Sequence, residues 1–212
     1  MSSVIALPTD RLGGALPRLL HRRRSTRHFA AAQAVDLPDV AAALRAALGS
    51  TVEGRRAVPS ARAAYPVTAT LVAGDVTGLP PGAYRYDPVV HTLTAGASGD
   101  HRPRIAAVTL DARHWLPQCP ALVLLSADLR GVAGHFADQP RDHVERFVWL
   151  EAGHVSQNVY LWAAENGFGT VLVAGLDDAR TPEADAVVPG GHLLLALMGL
   201  GVPAGPAVRP KS

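Results

Sequence analysis

Residues 151–175 read EAGHVSQNVYLWAAENGFGTVLVAG, and two kinds of element follow one another within them. Val148, Ala152, Val155, Val159 and Ala163 recur at the i, i+4, i+7 spacing that lines one face of a helix. Trp149, Leu150, Tyr160, Leu161 and Trp162 fall elsewhere round the same cylinder. A helix apolar on nearly all sides is expected at the centre of a fold. Gly167 supplies a C-terminal stop, and residues 170–174 then read as a short buried strand ending at Gly175. Glu151, His154 and Asn158, three and four residues apart, share one polar stripe on this helix, with Gln157 beside it. Buried polar groups need partners. Three readings stay open for the stripe: an internal network between helices, a support for a bound cofactor, or a metal site. The metal reading rests on Glu151-x-x-His154, the spacing of di-iron bundles, which requires a second copy. No other Glu in the chain has a His three residues later.

Working outward, 212 residues suit one large domain with a sizeable core. The chain is 48% hydrophobic and 18% charged, which is a globular balance and excludes disorder. No apolar run has the length of a membrane span, and the N-terminus lacks the order of a signal peptide. The single cysteine, Cys119, excludes an internal disulfide and a cysteine metal cluster; its position before Pro120 and an apolar run reads as packing. The expected location is cytoplasmic. A formal charge of +2 makes local clustering more informative than the pI of about 9.0.

The clearest cluster is HRRRSTRHF, residues 21–29, following a short helix over residues 11–20. Arg22, Arg23, Arg24 and Arg27 surround Ser25 and Thr26. Guanidinium forks and hydroxyls suit a phosphate. The same residues also fit a solvated patch closing a helix, or a nucleic-acid arm, although no aromatic platform follows. Asp36 is the expected cap of an amphipathic helix over residues 37–48, ended by Gly49. After a polar loop, PSARAAYP at residues 59–66 makes a rigid turn before a strand over residues 67–73. GLPPGAYRYDPVVHTL, residues 78–93, reads as a hairpin. Residues 101–116 are weakly helical, and residues 121–127 form a continuous apolar strand of the kind covered on both faces. Residues 129–145 are polar and ambiguous. Residues 192–198 are another buried strand, and the Gly/Pro-rich tail with Arg209 and Lys211 reads as wrapping a surface. Neither an internal repeat nor an interdomain linker is visible, so residues 1–212 are expected to form one domain.

Several chemistries lack their signatures. There is no P-loop, and Gly199-Leu-Gly201 has no helix after it, which removes a Rossmann reading. No Gly-x-Ser-x-Gly elbow occurs, and Cys119 has no electropositive, open setting.

The order RRSTRHF, PSARAAYP, GAYRYDPVVHTL, EAGHVSQNVYLWAAENGFGT and a terminal Gly-x-Pro resembles the nitroreductase superfamily from about residue 18 to 204. More narrowly it looks like the SagB-type dehydrogenases, FMN enzymes often found in pathways to thiazole- and oxazole-modified peptides. The resemblance implies an α+β fold, a mixed or antiparallel central sheet flanked by helices, and an interlocked homodimer with two FMN molecules at its interface. It assigns the FMN phosphate to Arg23, Arg24, Ser25 and Arg27, with Arg209 as a second contact. It places the Pro59-Ser60-Ala61 loop near the flavin across the dimer. It turns backbone groups of residues 173–175, Ala174 and Gly175 among them, toward the ring, and makes Glu151, His154 and Asn158 mainly a support near the cofactor.

Two departures stand out. The family's Pro-Ser-Ala-Gly has Arg62 in place of the glycine, a cation that either narrows the site or meets an anionic group. The Lys-Tyr pair of azoline oxidases is absent; aligning residues 131–134, Gly-Val-Ala-Gly, puts His135-Phe136 at its position. His135 is the candidate base at neutral pH, with an exposed loop histidine as the alternative. The resemblance therefore implies an FMN-dependent dehydrogenase or oxidase acting on a peptide-derived or other biosynthetic intermediate, with azoline oxidation as one form of it. A NAD(P)H-dependent nitro or quinone reductase and a non-catalytic partner protein of a biosynthetic complex are the alternatives. No nucleic acid, membrane or metal is expected.

Overall fold

The computed structural model describes residues 5–6, 13–51 and 53–205. Among them the chain forms, in order, α1 (Ala15–Arg22), β1 (Val35–Asp36), α2 (Leu37–Leu48), β2 (Val67–Ala73), β3 (Val76–Thr77), β4 (Gly82–Asp87), β5 (Thr92–Ser98), α3 (Arg102–Ala107), β6 (Ala121–Ala127), α4 (Leu129–His135), α5 (Arg141–Asn166), β7 (Gly169–Val173) and β8 (Leu193–Gly201). The six-stranded sheet runs β5-β4-β2-β6-β8-β7 and is antiparallel at every pairing; parallel pairing is confined to the small β1–β3 ladder. The fold is α+β, as the resemblance implied.

Alternation along the central strands creates two cores. Val67, Ala69, Leu71, Val123 and Leu125 face α2 and α5, whereas Val72, Leu122 and Leu124 face α3, Leu116 and residues 184–188. Every residue of β6 is buried, the outcome expected of a strand apolar on both sides.

Local chemistry sets the ends of the helices. Gly167 takes φ 77, the left-handed cap that stops α5. Asp36 occupies the N-cap of α2 but makes no side-chain cap bond; Pro at the first turn and Gly49 at the end define that helix instead. Helix α1 lies later than the sequence implied, with residues 11–12 outside the described ones. The weak helix expected over residues 101–116 shrinks to α3, and a single 3-10 turn follows at Leu116–Gln118. The ambiguous residues 129–145 hold α4 and the first turn of α5. Asp128 caps α4 by accepting from the Arg130 and Gly131 N–H groups.

One expectation fails in the single chain. Helix α5 buries the face of Val148, Ala152, Val155, Val159 and Ala163, but Trp149 and Leu150 remain 46% and 61% exposed. Helix α1 buries no residue at all, and Leu16 and Leu20 stand open to solvent. No helix among the described residues is long and apolar enough to cross a membrane.

Candidate functional site

Residues 23–27 leave helix α1 in extended chain and are fastened to the end of the sheet. The Thr26 N–H donates to the Thr170 carbonyl at 2.9 Å. A Cβ on Gly169 would lie 2.6 Å from the Thr26 methyl, so only glycine allows this approach. Tyr160 on α5 organises the rest. Its hydroxyl accepts the Leu172 N–H at 2.9 Å and lies 3.1 Å from Ser25 Oγ, while the Arg23 guanidinium sits 5.1 Å above its ring. Arg24 folds back to donate to the His21 and Arg23 carbonyls, so it closes α1. Among the described residues none of Arg22, Arg23, Arg24 and Arg27 meets a carboxylate, and Arg27 makes no hydrogen bond. A strip of uncompensated guanidinium groups beside a hydroxyl fits a phosphate. Ala174 and Gly175 leave β7 just beyond and are exposed; their carbonyls accept from Leu176 and Leu110. Arg209 lies outside the described residues.

The polar stripe of α5 holds the 57–67 loop. Glu151, 2% exposed, accepts the Val67 N–H at 3.3 Å and interacts with Ser60. Burial pushes its carboxyl above the usual glutamate value, against the opposing pull of Ser60, Val67, Arg56 and His154. Asn158 Nδ2 donates to the Ala57 carbonyl at 3.2 Å. Glu151 and Asn158 of the stripe thus have internal partners, and among the described residues no group of three His, Cys, Asp or Glu is placed to hold a metal. Pro59, Ser60 and Ala61 line an open cleft of about 280 Å³ with Phe147, Leu150, Glu151 and His154.

The loop is strained. Arg62, Ala63 and Tyr65 take φ values of 51, 53 and 48, conformations that favour glycine. Arg62 is held there by a two-pronged ion pair to Asp138, both contacts at 2.7 Å, and by the Phe136 ring 5.3 Å away. The cation that replaces the family's glycine therefore meets an anionic group, and Arg62 holds the Asp138 carboxyl well below the usual range. His135 is exposed at the end of α4. Its ring lies 5.1 Å from Phe136, which in turn is 5.2 Å from Phe147 in the cleft wall. Aromatic contacts thus connect His135 with the cleft.

The expected site residues fall in two groups. Two positions along a helix turn about 200°, so Asn158 and Tyr160 point to opposite flanks of α5. Arg23, Ser25 and residues 169–175 lie on the Tyr160 flank; the 57–67 loop lies on the Asn158 flank. Sequence reading missed Tyr160 and Asp138. Tyr160 was grouped with the apolar ring of the helix, although a hydroxyl on a buried helix signals a polar partner.

The description of the nitroreductase family matches residues 20–202. A protein named as a nitroreductase in Methanocaldococcus jannaschii is 32% identical over 169 residues, covering 79% of this chain and 82% of that protein. In the crystallographic complex of the Escherichia coli microcin synthetase McbBCD with truncated pro-MccB17, one chain shares the fold. Its TM-score is 0.78 at 19% identity, over 97% of this chain and 76% of that one. A Desulfovibrio desulfuricans protein named as a nitroreductase and crystallised with FMN matches with TM-score 0.63 at 19% identity, over 94% of both chains. Family match, sequence relative and fold agree: the chain belongs to the nitroreductase family and is an oxidoreductase.

Proposed function

We propose that the protein is an FMN-dependent dehydrogenase or oxidase of the SagB type, working as a homodimer on a peptide-derived or other biosynthetic intermediate. The observation that carries the reading is the uncompensated arginine strip that Tyr160 and Thr26 fasten to the end of β7. Arg23, Arg27 and Ser25 hold the FMN phosphate, and Arg24 keeps the end of α1 beside it. Ala174 and Gly175 offer backbone groups at the ring. FMN, when bound, supplies hydride transfer, and the protein supplies position, electrostatics and exclusion of water.

The flanks of α5 support the homodimer. A flavin that touches both the arginine strip and the Pro59–Ala61 loop joins groups on opposite sides of one helix. A second copy brings its own loop to the strip and covers Trp149, Leu150 and α1, which are open in the single chain. His135 takes the proton released when a substrate C–H bond is oxidised. The likeness to a chain of the microcin synthetase complex with truncated pro-MccB17 supports an intermediate derived from a peptide, and azoline oxidation is one form that the SagB-type resemblance implies. His135-Phe136 in place of Lys-Tyr marks the difference from that chemistry.

A NAD(P)H-dependent nitro or quinone reductase is the second reading, favoured by the name of the M. jannaschii relative. Stopped-flow mixing separates the two. Rapid flavin bleaching by NAD(P)H alone supports the reductase and contradicts the dehydrogenase, which is expected to bleach only with its organic substrate.

A further inference from the structure

A cavity lies on the other face of the sheet from α5. Thr70, Arg85 and Thr94 stand opposite one another on three adjacent strands: Thr70 pairs with Arg85 across β2–β4, and Arg85 with Thr94 across β4–β5. Partners directly opposite in antiparallel strands project their side chains to the same face. The result is a transverse row of hydroxyl, guanidinium and hydroxyl. Val72, two residues from Thr70, packs into the core against α3 and residues 184–188, which sets the row apart from the helix α5 side.

The row borders a cavity of about 220 Å³. Ala83, Ala95, Gly96 and Ala97 also line it, and residues 186–189 form an apolar wall. Thr70 is 2% exposed, and its Oγ1 is buried without a hydrogen-bond partner among the described residues. An unpartnered buried hydroxyl is costly to the fold and calls for a reason. Among the described residues Arg85 makes no ion pair. Asp87, two residues along the strand, is engaged with the Val89 and Val90 N–H groups at 2.8 and 3.2 Å. Nearby His192 lies 3.3 Å from Thr68 Oγ1 and 3.4 Å from Ser126 Oγ, and it feels the Arg85 charge.

We infer that this cavity binds a small monocarboxylic acid: the carboxylate on Arg85 and the Thr70 hydroxyl, the short aliphatic body against Val187, Val188 and Pro189. A planar guanidinium matches a carboxylate with two parallel hydrogen bonds. One cation balances one negative charge, which favours a carboxylate over a doubly charged phosphate. The volume is about that of seven waters in the liquid, room for a few heavy atoms and too small for a drug-sized ligand.

The test is titration of the purified full-length protein with butyrate, followed by calorimetry and by the His192 ring resonances in NMR. Butyrate is expected to bind and shift those resonances, whereas the neutral butyramide does not. Arg85→Gln is expected to weaken butyrate by about tenfold or more, the scale of a lost charge-assisted pair. Thr70→Val also weakens it, yet raises the melting temperature by removing the orphan hydroxyl. Absence of butyrate binding, equal binding by Arg85→Gln, or tighter binding of inorganic phosphate would each overturn the inference. Flavin content plays no part in these readouts, so the result stands apart from the FMN reading.

Discussion

Glu151 shows how a single residue ties stability to the site. Its burial raises the carboxyl pKa, so the native state holds the proton more tightly than the unfolded chain does. This contribution to stability is complete below the ordinary glutamate value, about 4.3, and is lost as pH rises through the raised native value. Melting temperature measured against pH should therefore show this loss in the wild type. Glu151→Gln, whose amide oxygen still accepts from Val67, should flatten the profile; an identical profile would remove Glu151 as its source. Arg27 is the cleaner probe of function, because it makes no hydrogen bond or ion pair among the described residues. Arg27→Ala should leave the fold intact and weaken FMN by about 1.5–3 kcal/mol, the value of a charge-assisted hydrogen bond. Unchanged FMN affinity would sink the phosphate assignment. Arginine and hydroxyl chemistry at residues 23–27 was legible from the sequence. The roles of Tyr160 and Asp138 were not, because Tyr160 meets Ser25, 135 positions away, and Asp138 meets Arg62, 76 positions away, and spacing along the chain carries no such information.

At the scale of elements, periodicity worked where one pattern ran unbroken. The bounds of α2, β2 and β6 and the β4–β5 hairpin emerged from the residues, since helix and strand periods are unmistakable there. Residues 101–116 and 129–145 resisted for physical reasons. In the first, α3 ends at Ala107 because Thr109 bridges to Leu176 and its hydroxyl accepts the Ala112 N–H, and in the second the polar faces of α4 and early α5 obscure the helical period. The Asp128 cap was a signal available in the sequence. The pair Arg62–Asp138 now joins the strained loop before β2 to the segment after α4. Both side chains are about half exposed, so little global stability is expected from it. Asp138→Asn should leave the melting temperature unchanged but speed amide hydrogen exchange across residues 60–65. Unaltered exchange would mean that the pair does not restrain the loop. His135→Ala should slow flavin reduction by substrate with FMN content unaltered, and an unchanged rate would take His135 out of the mechanism.

For the whole molecule, the decisive feature is what one chain leaves undone. A helix as short as α1 has little stability of its own and normally depends on packing an apolar face, yet no residue of α1 is fully buried. Together with Trp149 and Leu150 it presents the surface that a second copy would cover. Leu150→Glu, at an exposed position, should leave the protomer folded while shifting sedimentation from dimer to monomer and lowering bound flavin with it. A dimer of normal flavin content would contradict the shared interface. The single chain separates the arginine strip from the Pro59–Ala61 loop, and the proposed homodimer would unite them around one cofactor. The measurement that tests this most directly is the visible absorption spectrum of the purified protein, with the chromophore identified after heat release. The account predicts flavin bands and released FMN. A colourless protein that takes up no FMN on reconstitution would contradict it.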